Sequence, residues 1–307
     1  MRWRFKSLHF KLLSLMPGGK TFHMFTQEQV TRSTEANHDR VRQKVEVGLR
    51  YWDWLQKNGR AESFLNGQTI DFGAGWHPTI PLLWHLFGAR RQLLLDIQSN
   101  MDTPKVADTV RLLNQIASEP GWVGKPFCKH QVLPLPVHTQ PLAATLRSYG
   151  IEYRAPYKNT LAENLDTYDS IICTQVLQHI DRASLENLFS VFFRSLKPGG
   201  LLMGVAHLVG HFRSPNLHKG QYQHLESSPW VWDNLINSSL MSFNRLKGPD
   251  YRRLLEQSGF RIHAFEVEAP TPEDLAELKR TKIHPSFDRL STDDLAAKLV
   301  FFVAEKP

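Results

Sequence analysis

The residues of this sequence with the clearest chemical potential stand where short apolar runs end. Asp71 precedes the segment Gly73-Ala74-Gly75, and Asp96 ends the next apolar run, Leu93 to Leu95. Glycines at such a point let the backbone pass close to a bound nucleoside, where a side chain would collide. An acidic residue at the end of the neighbouring strand can accept hydrogen bonds from both hydroxyls of a ribose. The pattern therefore indicates a site for a ligand that contains a nucleoside.

Each of these signals also has a purely structural explanation, which the local sequence leaves open. A Gly-x-Gly pair also forms tight turns between a strand and a helix that bind no ligand. Asp96 equally fits the role of a cap for the segment that follows it.

The apolar pattern predicts the elements that must position these groups. Strands are predicted at 68–73, 91–97, 151–154, 168–174, 201–207, 261–268 and 298–304, and helices at 39–57, 79–87, 104–118, 182–196, 248–258 and 273–278. Strands that alternate with helices predict an α/β fold with a mostly parallel sheet covered on both faces. The short connection over 270–296 has no full crossover helix, so an antiparallel last strand, inserted at the sheet edge, is expected.

Composition excludes several classes of protein. The chain has 307 residues, only two cysteines, and 37 Lys and Arg against 30 Asp and Glu, a net charge of +7. Two cysteines cannot form a disulfide framework, and no run approaches the roughly 20 apolar residues that cross a bilayer. We therefore expect a cytoplasmic protein. The modest positive charge is compatible with an anionic substrate, a nucleic acid or a membrane surface, and selects none of them.

A basic and apolar segment opens the chain. Apolar residues at helical spacing predict a short amphipathic helix: Phe5, Leu8, Leu12 and Leu15. Packing of this helix on the domain or on a second subunit, as in a homodimer, is the favoured interpretation. Binding to a membrane surface and disorder are the alternatives. The predicted domains are an N-terminal helical extension over 1–66 and a catalytic domain over 67–307.

Two further segments complete the pattern. Tyr168 to Thr174 is a buried strand followed by Gln175-Val176-Leu177-Gln178-His179-Ile180, and Lys197-Pro198-Gly199-Gly200 ends a helix before another strand. In this order and spacing, the four elements over residues 67–306 resemble the class I S-adenosylmethionine-dependent methyltransferases. The likeness is to the small-molecule, type 11-like subgroup, which has a Val-Leu-x-His-Ile segment after the fourth strand.

The resemblance implies a Rossmann-like, doubly wound sheet of seven strands with S-adenosylmethionine as the cofactor. It implies that the methionine part is flanked by Asp71, Gly73, Ala74 and Gly75, with Trp76 as a further neighbour. It also implies that Asp96 binds the ribose, with Ile97 beside the adenine. Thr174 and Gln175 are expected against the cofactor at the end of the fourth strand.

Two features depart from the family pattern. Trp76-His77-Pro78 stands where a third glycine is common, so these side chains are expected to shape the substrate side or to pack beneath the cofactor. Arg154-Ala155-Pro156-Tyr157 lacks the acidic residue that often meets the adenine, so backbone contacts or Tyr157 are expected to serve. Pro78 also disfavours a dinucleotide-binding dehydrogenase, which usually has Gly or Ala at that position.

The expected acceptor is a hydroxyl or amine of a small molecule or glycan precursor. His207 is the preferred general base; His179 is a second candidate for which packing is the favoured role, and His211 is a weaker one. A lid is predicted over about 208–247, with dimer contact or packing against the N-terminal helices as its alternative. Nucleic acid is disfavoured because Thr174-Gln175-Val176-Leu177 replaces the segment typical of base methylases, and no metal-ligand cluster is evident. A catalytically silent binding or scaffold subunit is the alternative function.

Overall fold

The computed structural model describes residues 2–17, 35–122, 134–158, 160–210, 220–240 and 242–307. His211 and part of the predicted lid, 211–219 and 241, lie outside this range. Among the described residues, no helix is long and apolar enough to cross a membrane.

In the part of the chain that the structure describes, seven strands form one sheet in the order β3-β2-β1-β4-β5-β7-β6. Their bounds are β1 Thr69–Phe72, β2 Gln92–Leu95, β3 Ile151–Arg154, β4 Tyr168–Thr174, β5 Leu196–His207, β6 Arg261–Val267 and β7 Leu299–Glu305. Strand β1 lies between β2 and β4 and is parallel to both, and β2 is parallel to β3. The carboxyl ends of these strands therefore lie at one edge of the sheet.

Strand β7 is antiparallel to its neighbours, as the backbone bonds at its two ends show. Near its end, Gly199 N donates to Lys306 O at 2.7 Å, whereas near its start Leu208 N donates to Lys298 O at 2.8 Å. Glu268 N, just after β6, donates to Leu299 O at 2.9 Å. The predicted α/β fold, with a mostly parallel sheet and an antiparallel last strand, is confirmed. The expected position of that strand at the sheet edge was wrong, because β7 lies between β5 and β6 and β6 forms the edge.

The helices alternate with the strands. Their bounds are α1 Arg2–Leu15, α2 His38–Lys57, α3 Ala61–Asn66, α4 Thr79–Phe87, α5 Thr103–Ala117, α6 Leu142–Ser148, α7 Thr160–Glu163, α8 Arg182–Ser195, α9 Pro229–Val231, α10 Gly248–Gln257, α11 Pro272–Arg280 and α12 Thr292–Ala296. A π-helix, Trp232–Ile236, follows α9 directly. Helix α8 ends at Ser195, before the residues 197–200 that were predicted to end it. The predicted start of the next strand at Leu201 was wrong, because Gly199 and Gly200 bond to Lys306 and extend β5 back to Leu196.

The chain divides into two compact units. The first, here called the β1–β4 unit, comprises 34–174, 194–203 and 305–307, and the second, the β6–β7 unit, comprises 1–33, 175–193 and 204–304. Helix α2 belongs to the β1–β4 unit, whereas α1 belongs to the β6–β7 unit.

In the β1–β4 unit, α2 packs closely on α4. The Trp52 and Phe87 rings stack with their centroids 4.3 Å apart. A Cβ at Gly48 would overlap the Leu83 side chain, so glycine is needed for this approach. This packing fixes the face that α2 turns toward the strands.

Candidate active site

The turn after β1 is held in a conformation that favours glycine. Gly73 and Gly75 have φ of 81° and 65°, in the left-handed region that other residues adopt only with strain. The amides of Gly73 and Ala74 donate to Leu95 O at 2.8 and 3.2 Å, which ties the turn to the end of β2. A Cβ on Gly75 would meet no atom closer than Gly73 O at 3.9 Å, so its backbone borders open space.

Asp96 joins two loops through both of its carboxylate oxygens. Its Oδ2 accepts from Gly75 N at 2.7 Å, and its Oδ1 accepts from Gln98 N at 2.9 Å. The backbone oxygen of Asp96 accepts from Tyr157 N at 2.6 Å. The N-cap of α5 is Asp102, which accepts from Lys105 N at 2.9 Å. Asp96 therefore does not cap α5, and its buried carboxylate fixes the two loops relative to each other.

Asp71 is a buried carboxylate at the carboxyl end of β1. Burial raises the pKa of Asp71 to about 7, and Asp96 adds to this rise, whereas the ammonium of Lys44 opposes it. Burial lowers the pKa of Lys44, and Asp71 in turn opposes that shift. Asp71 can therefore change its charge near neutral pH, with a cation from α2 acting on it.

Tyr51 lies two turns beyond Lys44 on the same face of α2. Its hydroxyl is 3.4 Å from Thr174 Oγ1, at the end of β4. Residues seven apart in a helix share a face, so α2 presents both side chains to the strand ends. Burial raises the pKa of Tyr51, which keeps its hydroxyl protonated.

Apolar and aromatic groups follow β2 and β3 at the same edge. Ile97 is 70% exposed, although large apolar side chains are usually withdrawn from water. The Tyr157 ring packs edge-on against Phe72, with centroids 5.9 Å apart, and its hydroxyl accepts from Leu161 N at 3.1 Å. Next to the Asp96 carboxylate there is thus an apolar surface that is open to a ligand.

Trp76 and His77 turn toward α5. Lys105 Nζ lies 5.1 Å from the centre of the Trp76 ring, within range of a cation–π interaction. His77 Nδ1 lies 3.2 Å from Thr109 Oγ1. Both side chains are partly buried in these contacts, so packing against α5 accounts for the bulky residues that replace a third glycine.

Three predicted residues belong to the β6–β7 unit. Gln175 has φ of 60°, unusual for a side chain of this size, and its N donates to Val205 O at 2.7 Å. His179 Nδ1 lies 2.8 Å from Ser242 O; a carbonyl only accepts, so Nδ1 carries the proton and Nε2 the lone pair of the neutral ring. Desolvation lowers the pKa of His179, which favours that neutral form. His207 is the partly buried last residue of β5.

Most described aromatic residues of the predicted lid are buried within the β6–β7 unit. Trp232, Ile236 and Phe243 form one apolar cluster. The Arg245 guanidinium lies between the rings of Trp232 and Phe287, at 4.9 and 5.2 Å from their centres. It donates to the backbone oxygens of His224 and Ser227 at 3.2 and 2.8 Å. These side chains of the predicted lid therefore pack inside the β6–β7 unit.

A family model described as the methyltransferase domain matches residues 47–264. The chain belongs to this methyltransferase family. The family predicted from the four sequence elements is thereby confirmed. No curated protein matches the chain.

Several solved methyltransferase structures are similar to this chain at low sequence identity. One from Mesorhizobium loti is 16% identical, covers 78% of this chain and 90% of its own, and has a TM-score of 0.40. A putative methyltransferase from Listeria monocytogenes is 16% identical. The match covers 80% of this chain and 92% of that protein, with a TM-score of 0.43. Geranyl diphosphate C-methyltransferase from Streptomyces coelicolor is 16% identical, with 82% and 79% covered and a TM-score of 0.40.

Sequence reasoning missed that α2 turns Lys44 and Tyr51 toward this candidate site. Lys44 and Tyr51 lie on the apolar face of a predicted helix, and a lysine on such a face was the available signal. Among the described residues, no group of three or more His, Cys, Asp or Glu side chains could hold a metal ion.

Proposed function

We propose that this methyltransferase transfers the methyl group of S-adenosylmethionine to a hydroxyl or amine of a small molecule or glycan precursor. The observation that carries the proposal is the joined pair of loops at the strand ends of the β1–β4 unit. There, the amide of Gly75 bonds to the carboxylate of Asp96, and open space borders the glycine backbone.

The residues at this edge match the three parts of S-adenosylmethionine. Asp71 supplies an anion for the ammonium of the methionine part. The glycine turn leaves room for the main-chain atoms of that methionine part. Each oxygen of Asp96 accepts one amide and retains a second lone pair for a ribose hydroxyl. Exposed Ile97 offers an apolar surface for the adenine.

Bound S-adenosylmethionine supplies an electrophilic methyl group on a sulfonium. The protein's task is then to align the acceptor, exclude water and remove a proton from a hydroxyl or ammonium group. His179 is suited to that last task, because its Nδ1–H donates to Ser242 O and its lone pair is on Nε2. We therefore treat His179, like His207, as a candidate base.

Calorimetric titration of the purified chain with S-adenosylmethionine, and separately with NADH, tests the cofactor assignment. We expect micromolar binding of S-adenosylmethionine and none of NADH. Binding of NADH alone contradicts the proposal.

A matched pair of glycine variants tests the location of the site. Gly75 and Gly59 both have φ of 65°, and a Cβ meets no close neighbour at either position. Substitution by alanine at either position should therefore lower the free energy of unfolding by about 1 kcal/mol through backbone strain. We expect only Gly75→Ala to weaken S-adenosylmethionine binding, by at least about tenfold, because its Cβ enters the space where the ligand lies. Equal affinities of the two variants would place the cofactor elsewhere.

Methyl-labelled S-adenosylmethionine and a panel of sugars, aromatic alcohols and amines test the acceptor class. We expect S-adenosylhomocysteine release with a hydroxyl or amine acceptor. Turnover should fall in His179→Ala or His207→Ala by about 100-fold for the variant that removes the base. A methylated carbon in the product contradicts O- or N-methylation.

A further inference from the structure

Helix α1 has its polar face turned inward and its apolar face turned outward. Ser7 is buried, and Lys11 Nζ donates to the backbone oxygens of Asp233 and Asn237 at 3.3 and 2.8 Å. Beside this buried stripe, three large apolar side chains at helical spacing are exposed, Leu8, Leu12 and Leu15, and so is Met16 directly after the helix.

This arrangement is the reverse of that of a helix on the surface of a water-soluble domain. Such a helix turns its apolar stripe toward the core and its polar residues toward solvent. The sequence favoured packing through Leu8, Leu12 and Leu15, but the structure packs the helix through the Ser7 and Lys11 face instead. The outward leucines therefore need an apolar medium of their own.

The segment that receives Lys11 carries two more exposed apolar side chains. Trp230, in α9, is 66% exposed, and Leu235 lies in the following π-helix, whose Asp233 and adjacent Asn237 bind Lys11 through their backbone oxygens. Nine large apolar side chains are exposed in the described parts of the chain. Six of them lie on α1, at Met16 directly after it, or at these two positions. We call these six residues the α1 patch.

The charge of this region favours one kind of partner. Besides Lys11, whose ammonium is bound to the π-helix segment, the sequence of α1 has three cationic residues, Arg2, Arg4 and Lys6, and no acidic one. The carboxylate of Asp233 is exposed, and it acts electrostatically on the buried Arg245 of the same unit. An apolar stripe with cationic residues on the same helix, and a tryptophan nearby, is the composition that binds the interface of an anionic bilayer.

We propose that the α1 patch is a peripheral membrane-binding surface for anionic phospholipid. The leucines and Met16 enter the boundary between headgroups and acyl chains, and Trp230 lies at that boundary with them. Lys11 holds the helix on the π-helix segment, so the patch is presented as one preformed surface. The inference does not depend on methyl transfer.

Sedimentation of the full chain with lipid vesicles tests this surface. The probes are vesicles of phosphatidylcholine alone and of phosphatidylcholine with about one third phosphatidylglycerol. We expect binding to the anionic vesicles, weaker binding to the neutral ones, and a decrease with added salt. Failure of the wild-type chain to bind anionic vesicles overturns the proposal.

Two glutamate variants of matched exposure locate the contact. Leu12 is 56% exposed on α1, and Leu165 is 58% exposed in the β1–β4 unit. Both substitutions leave the interior untouched, so both variants are expected to fold. Leu12→Glu should lower vesicle partitioning at least about tenfold, because the favourable free energy of transferring the Leu12 side chain from water into the bilayer is lost. Leu165→Glu should leave partitioning unchanged, and an equal loss in both variants overturns the assignment.

Two further measurements separate lipid from other partners. Brominated lipids should quench part of the tryptophan fluorescence. Trp230→Phe should reduce that part, and the sequence of α1 contains a second tryptophan, Trp3, that can account for the remainder. Light scattering of the lipid-free protein should give the same mass for wild type and Leu12→Glu. A wild-type dimer that Leu12→Glu separates, without vesicle binding, shows that a second copy covers the α1 patch and overturns the lipid proposal.

Discussion

Asp71 shows how one buried residue can make ligand binding depend on pH. Its carboxylate lies at the strand ends, with the ammonium of Lys44 opposing the rise in pKa that burial causes. A cationic ligand group near Asp71 is attracted only when the carboxylate is ionised. The pKa of about 7 therefore places this change within the physiological range.

The first residue-scale prediction concerns that pH dependence. Affinity for S-adenosylmethionine should rise on the order of tenfold between pH 6 and pH 7.5, as Asp71 loses its proton. Asp71→Asn should bind more weakly and show no such rise. Calorimetric titrations at several pH values measure both effects, and an unchanged slope in Asp71→Asn assigns the rise to another group.

The second residue-scale prediction concerns Tyr51. Its hydroxyl is buried and lies 3.4 Å from Thr174 Oγ1. Tyr51→Phe should cost about 1 kcal/mol of stability, the usual contribution of one hydrogen bond. The urea midpoint measures that loss; Tyr149→Phe, which removes a hydroxyl bonded to Pro136 O, is a comparison of similar size. Unchanged stability in Tyr51→Phe shows that the two hydroxyls do not form a stabilising bond.

Among the elements, α2 links the fold to the site. Asn37 caps it by accepting from Arg40 N at 2.9 Å, and its buried face carries Lys44 and Tyr51 toward the strand ends. The helix was predicted at 39–57 and is observed at His38–Lys57. Its existence followed from apolar periodicity, whereas its part in the site did not, because periodicity does not show which element a face contacts.

An element-scale prediction follows from that cap. Asn37→Ala should lower the free energy of unfolding by about 1 kcal/mol, since the first turn of α2 loses an acceptor for an otherwise orphan amide. Asn37→Asp retains an acceptor and should be close to wild type. Urea denaturation compares the two variants. S-adenosylmethionine affinity should stay within about twofold in both, because packing rather than the cap positions the middle of α2.

The orientation of α1 is also decided at the scale of elements. Local sequence set its helical conformation, and the inverted orientation arose from bonds of Lys11 to backbone oxygens more than 200 positions away, at sequence separations of 222 and 226. Sequence patterning assigns an apolar stripe to the interior by default. Only the tertiary contact revealed that this stripe is exposed.

At the scale of the whole molecule, a buried lysine affects global stability. Lys247 is fully buried and donates to the backbone oxygens of Leu208 and Leu295 at 2.7 and 2.9 Å. Burial lowers the pKa of Lys247 from 10.5 to about 7, with Asp294 and Asp250 opposing the shift. Between these two values the unfolded chain binds more protons than the folded one, so this group makes stability rise with pH.

The whole-molecule prediction is a difference between two stability curves. Lys247→Met removes the titrating group, so its unfolding free energy relative to wild type should fall as pH rises from 7 to 10. The change should be on the order of 1 kcal/mol per pH unit. Denaturation at several pH values measures it, and parallel curves would show that Lys247 stays charged when folded.

The sequence by itself determined the alternation of strands and helices, the mostly parallel character of the sheet, and the family. Strands β3 and β4 were predicted with their observed bounds, Ile151–Arg154 and Tyr168–Thr174, because periodicity and turn residues act over a few neighbours. The glycine turn and Asp96 were also found in this way.

The tertiary structure decided what those residues contact. It showed that both oxygens of Asp96 already join two loops, that Lys44 acts on Asp71, and that β5 begins at Leu196 because Gly199 and Gly200 bond to Lys306. Apart from the bond of Gln98 to Asp96, these are interactions between residues that are not neighbours in the chain. Their partners are chosen by packing, which no local pattern encodes.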